Sequence, residues 1–220
     1  MNILFDSQDF DQDWARSELS AYITPNCAIT VIPFAFHETW VTDLNQWNEC
    51  YNSDDGLYYE GIIHPFIQYG VKSENIRFIN YFKDHANDLA DALLTTDIVY
   101  FVGGFPEKTM ERLIELDMKE IVENYNGIIM GWSAGATMQA KEFFISPDKH
   151  YKEYSEHQGL ELINEFAVKV HYNGSSEQID CIKRYISRTG NKVFCLRKKS
   201  AIIYDAGGIS LLGNAFEFKD

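Results

Sequence analysis

One serine stands in Gly131-Trp132-Ser133-Ala134-Gly135, directly after the apolar run Ile128-Ile129-Met130. Very small residues two positions to either side of a serine permit a tight strand-to-helix corner. Such a corner, a nucleophile elbow, lifts the hydroxyl above the sheet edge. The amide of Ala134, at the start of the helix, is then free to hydrogen-bond an anion. GxSxG alone is five loose positions, however, and small residues also serve as packing devices at turns. A serine hydroxyl is a weak nucleophile at neutral pH, so a hydrolytic role needs a base and a group that orients that base.

The chain carries His37, His64, His85, His150, His157 and His171. Only His171 directly follows a strand-like run downstream of the elbow, FAVKV at 166–170, and it is the expected base. His37 follows a strand end and could line the same rim, whereas His64 and His85 fall in or beside helical stretches. For the acid, Asp148, Glu153, Glu156, Glu161 and Glu165 all lie between the serine and the histidine. Asp148 sits in a Ser-Pro-Asp turn, where a short side chain is easily held, yet the same tripeptide is also an ordinary loop start. Glu156 and the other carboxylates therefore stay open. A second oxyanion donor is expected from the Gly103-Gly104-Phe105 turn, from Gly104 or Phe105, since Pro106 has no N–H to give. His150, Glu153, Glu156 and His157 lack a familiar ligand spacing and read as a solvated face; no metal and no cofactor are expected.

Elements that would position these groups alternate along the chain. AITVIPF (28–34), NIRFI (75–79), IVYFV (98–102) and 127–130 read as strands. Segments 38–51, 57–69, 84–94 and 106–123 have helical spacing, the last with Pro106 in its first turn. This βαβ rhythm predicts an α/β fold, doubly wound, with a largely parallel sheet and helices on both faces. Sites in such sheets gather outside the carboxyl ends of the strands, where Ser133 and the Gly103-Gly104 turn both fall. Residues 143–164 read as loops or an excursion. After them come a strand ending at His171, a helix near 176–187 and short strands at 193–196, 201–204 and 209–212.

At 220 residues the chain suits one domain, 1–220, without linker or repeat. A net charge of −14 argues against nucleic acid or an anionic membrane as partner. The basic residues crowd between Lys183 and Lys199 and read as a solvated face. The acidic start, MNILFDSQDF, is no secretory signal, and no apolar stretch approaches the roughly 18 residues of a membrane span. Cys27, Cys50, Cys181 and Cys195 are scattered and read as reduced thiols, so a cytoplasmic location is expected.

VIPFAFHETW (31–40), DIVYFVGG (97–104), GIIMGWSAGA (127–136) and VKVHYN (169–174), with the final strand-turn-strand, resemble the peptidase E-like serine peptidases, the family of α-aspartyl dipeptidase and cyanophycinase. The resemblance covers nearly the whole chain. It implies a class I glutamine amidotransferase-like, flavodoxin-like sandwich and a metal-free Ser-His-acid triad. It also implies Ser133 as nucleophile, His171 as base, and Asp148 close to the spacing of the family's acid. Gly104 or Phe105, with Ala134, would form the oxyanion hole. The implied substrate is a small peptide, with a second copy of the chain as a candidate partner.

The chain departs from the family pattern at three places. Phe105-Pro106 replaces the end of the usual glycine turn, and Arg197-Lys198-Lys199 stands where the dipeptidase places a glutamate. The helix after His171 lacks the arginine associated with an acidic substrate side chain. Strict specificity for an N-terminal aspartate is therefore not expected. Glutamine amidotransfer would need a cysteine at the elbow and a His-x-Glu pair, and an α/β-hydrolase esterase would place its histidine after the last strand. The remaining rival is a catalytically silent relative that binds a ligand or partner.

Overall fold

A computed structural model describes residues 1–219 of the chain. Its parallel strands are β1 (Asn2–Phe5), β2 (Ile29–Ile32), β3 (Ile76–Phe78), β4 (Ile98–Phe101) and β5 (Ile128–Trp132). Next come β6 (Glu142–Ile145), β7 (Ser155–Gln158), β8 (Phe166–Lys169), β9 (Lys192–Cys195), β10 (Ser200–Asp205), β11 (Gly208–Gly213) and β12 (Phe216–Glu217). The main helices are α1 (Asp13–Leu19), α2 (Leu44–Tyr51), α3 (Tyr59–Gln68), α4 (Ala86–Leu93), α5 (Pro106–Glu115), α6 (Lys119–Glu123), α7 (Ala134–Thr137) and α8 (Ser176–Thr189).

The central sheet has the order β11-β10-β1-β5-β4-β2-β3. Its five strands from β1 to β3 are parallel, and β10 and β11 add an antiparallel edge. Both faces are covered, which explains why these strands read as continuous apolar runs rather than alternating ones. On β4, Ile98 and Tyr100 join one core cluster while Val99 and Phe101 join another. The first cluster takes Leu19, Trp47 and Phe66 from α1–α3, and the second takes Leu89, Leu113 and Val122 from α4–α6. This is the expected doubly wound α/β fold.

Several elements differ from the sequence reading. The opening NILF is a central strand, with all four residues buried. The stretch 106–123 is two helices, because Asp117 turns left-handed at φ 55° between them. The excursion after the elbow contains an antiparallel hairpin, β6–β7, whose Arg188–Glu142 and Arg188–Glu156 ion pairs tie it to α8. The strand before His171 is not in the central sheet: β8 pairs with β9 in a separate three-stranded sheet, β12-β9-β8. Among the described residues all four cysteines are free thiols, and no helix is long and apolar enough to cross a membrane.

Candidate active site

Ser133 occupies the corner between β5 and α7 with φ 51° and ψ −110°, a region a serine adopts only where its surroundings insist. The motif's glycines show what insists. A Cβ on Gly131 would lie 2.2 Å from the Gly135 carbonyl oxygen, and one on Gly135 would lie 2.4 Å from that of Phe101 at the end of β4. Backbone therefore passes backbone too closely for any side chain at either position. The Ser133 amide donates to Phe5 O at 3.0 Å, and the Thr137 hydroxyl donates to Ser133 O at 3.0 Å, pinning the corner between β1 and α7.

The Ser133 Oγ lies 2.8 Å from His171 Nε2. His171 is itself left-handed, at φ 53°, one of four described non-glycine residues with positive φ, of which Ser133 is another. Long-range contacts hold it there. Its amide donates to Asp6 Oδ1 at 2.5 Å, its carbonyl accepts from Gln178 Nε2 at 3.2 Å, and the Tyr172 amide donates to Leu196 O at 2.9 Å. Gln178 belongs to α8, which Ser175 caps by accepting from the Gln178 amide. The second sheet and its helix thus deliver the imidazole to a serine carried by the first.

The carboxylate facing this imidazole is Asp6, and the expectation of Asp148 is corrected accordingly. Asp6 Oδ1 lies 3.3 Å from His171 Nδ1, and the Asp6 side chain is only 2% exposed. The β1–β5 register pairs Phe5 with Trp132, so the next residues, Asp6 and Ser133, emerge side by side at the carboxyl edge. A carboxylate this buried is costly unless hydrogen-bonded, and the His171 amide supplies that bond. Asp148 accepts instead from the amides of His150 at 2.7 Å and Tyr151 at 3.0 Å, which shapes its own turn. Glu156, the alternative, pairs with Arg188 and accepts from the Tyr154 hydroxyl.

Of the expected oxyanion donors, Phe105 is also corrected: its amide donates to Ala35 O at 2.9 Å. The amides of Gly104, at φ 136°, and of Ala134 give to no acceptor among the described residues. Buried Arg112 fixes the opposite side of that contact. It donates to Phe34 O at 2.5 Å and Phe36 O at 2.7 Å, and its guanidinium lies 3.7 Å from the centre of the Phe36 ring. His37 packs against Phe105 and bonds Thr39, away from the serine.

A cavity of about 470 Å³ opens over Ser133 and His171, in the usual range for small-ligand sites. Gly104, Ala134, Asp148, Lys149, His150 and Lys169 are among its lining. Lys169 is not singled out by the sequence, although it lies in the same VKVH run as His171. Burial holds its ammonium below the ordinary lysine pKa, partly offset by Asp148, Cys181, Cys195 and Asp6 nearby. Among the described residues no group of three or more His, Cys, Asp or Glu is placed to hold a metal ion.

The family model for peptidase family S51 matches residues 52–212. No curated protein matches the chain. Among solved structures, a peptidase from an acI-B1 Actinobacterium superposes with a TM-score of 0.68 at 16% identity, over 99% of this chain and 93% of that one. A structure assigned to peptidase E from Listeria monocytogenes EGD-e superposes with a TM-score of 0.65 at 14% identity, over 96% of each chain. At such identities the two structures speak for the fold alone.

Proposed function

Because the chain belongs to peptidase family S51 and is a serine-type peptidase, we propose that it hydrolyses small peptides through Ser133, His171 and Asp6. The observation that carries this reading is the 2.8 Å contact between Ser133 Oγ and His171 Nε2 at a strained elbow. With Nε2 accepting from the hydroxyl, the ring proton resides on Nδ1, where the buried Asp6 carboxylate favours it.

The steps follow from that tautomer. Ser133 Oγ attacks the scissile carbonyl carbon as its proton passes to His171 Nε2. The resulting oxyanion lies within reach of the Gly104 and Ala134 amides, the latter at a helix start. Collapse breaks the C–N bond, and His171 returns its proton to the departing amine, leaving an acyl group on Ser133. Water, deprotonated by His171, then attacks the ester; its C–O bond breaks, the proton returns from His171 to Ser133 Oγ, and the acid is freed. Lys149 and Lys169 are cations of the cavity available to a peptide's terminal carboxylate, which favours a dipeptidase or exopeptidase.

The test is incubation with a broad fluorophosphonate probe followed by intact mass. Labelling at Ser133 that vanishes in Ser133→Ala and weakens in His171→Ala is the expected result. Well-folded protein that takes no label would sink the hydrolase reading in favour of a silent, ligand-binding relative.

A further inference from the structure

A second cavity adjoins the catalytic one. It encloses about 490 Å³ and shares Trp40, Gly104 and Trp132 with its neighbour. The two differ in chemistry. The catalytic cavity holds Asp148, Lys149, Lys169 and two histidines, while the residues lining the second include none that is charged. Its walls come from Phe36 and Val41 after β2, from Tyr51 of α2 and from Ile62 of α3. Trp40, Leu57 and Tyr58, at its rim, are 58%, 73% and 48% exposed, and they are three of the few large apolar side chains the molecule leaves in water. Contiguous exposed apolar surface around a concavity marks a ligand groove far more often than scattered single residues do.

Resting on the peptidase reading of Ser133 and His171, we propose that this cavity receives the side chain of the residue supplying the scissile carbonyl, and that this side chain is aromatic or large aliphatic. The direction follows from proton delivery. The leaving amine must face His171 Nε2, which belongs to the catalytic cavity and does not line the second. With the amine on that side, the acyl half extends the other way, over Gly104 and Trp132, whose far side is the second cavity. The chemistry follows from the lining. A carboxylate or ammonium would leave water for a site with no counter-charge, which disfavours it there. An aromatic ring would instead bury apolar surface against Trp132, Phe36 and Ile62. Trp40, which lines both cavities, packs edge-on against Phe105 of the catalytic one, ring centres 5.7 Å apart.

The experiment is a panel of dipeptides X–Gly and their N-acetyl forms, with X as Phe, Leu, Ala, Asp or Lys, assayed on the full chain alongside fluorophosphonate labelling. Within a series, kcat/KM for Phe and Leu is expected to exceed that for Asp and Lys by about 10- to 100-fold. Gly61→Phe supplies a second readout. Gly61 lines the cavity from α3, and a Cβ there meets nothing closer than Gln8 Nε2 at 3.6 Å, so a side chain at this position meets no backbone. The Phe-over-Ala ratio should fall towards one in this variant. Enzyme that labels at Ser133 but does not favour Phe and Leu, or cleaves none of the panel, overturns the inference and leaves the hydrolase reading standing. Enzyme that does not label overturns both.

Discussion

The corner after β5 and the corner after β8 carry the same kind of backbone strain, but they are secured differently. Ser133 is held largely through its own motif, with Gly131 and Gly135 letting strands and helix pass at contact distance and Thr137 bonding the serine carbonyl, and through one distant partner, Phe5, whose carbonyl takes the serine amide. His171 is held by partners from three other parts of the chain, namely Asp6, Gln178 and Leu196. A strain that needs small residues at fixed neighbouring positions leaves a motif. A strain fixed from afar leaves none, and its holding groups are visible only once the fold has assembled.

That contrast can be broken by experiment. His171→Ala removes the proposed base and should lower kcat/KM by about 10⁴-fold or more, whereas a merely packed histidine would cost little activity. Thermal unfolding of the same variant separates the two, since the half-exposed ring contributes little to the core. Gly135→Ala attacks the other corner. Its Cβ would sit 2.4 Å from the Phe101 carbonyl oxygen, so the elbow must shift, and a stability loss of about 1–3 kcal/mol is expected from denaturant midpoints, with Ser133 labelling slowed. An unchanged midpoint would mean the elbow is looser than its geometry shows.

Lys169 gives the smallest effect, one of sign rather than size. Its pKa is lowered on folding by burial, so the unfolded chain binds the extra proton as pH approaches the ordinary lysine value. Stability then rises with pH through that alkaline window, and the protonated form is the less favoured partner of folding below it. Lys169→Met should therefore be more stable than the parent at neutral pH, with the gap narrowing as pH climbs. Parallel curves would contradict the assignment.

How much of this was legible beforehand varies by element. The five-residue elbow, the Gly103-Gly104 turn and the strand before His171 were readable because each is a local pattern with a local cause. The carboxylate beside His171 is not, because it precedes Ser133 in sequence and only the β1–β5 register brings it to the imidazole. Yet NILFD carries the same signal used for the other two residues, a short buried run ending in a polar group at the carboxyl edge. What hid it was the position of β1 at the chain's start, where an apolar tetrapeptide reads as an opening rather than as the strand beside β5. The oxyanion role expected of Phe105 failed for a related reason: its amide is taken by Ala35, from a loop that Arg112 holds across the sheet edge.

The most direct measurement compares the rate of fluorophosphonate labelling of Ser133 in Asp6→Asn and in Asp148→Asn against the parent, with unfolding midpoints recorded alongside. Asparagine keeps an oxygen for the His171 amide, so Asp6→Asn should stay folded while losing the carboxylate that holds the proton on Nδ1. The account predicts a fall of about 10³- to 10⁴-fold for Asp6→Asn and little change for Asp148→Asn. Labelling at the parent rate in Asp6→Asn, with loss in Asp148→Asn, would contradict it.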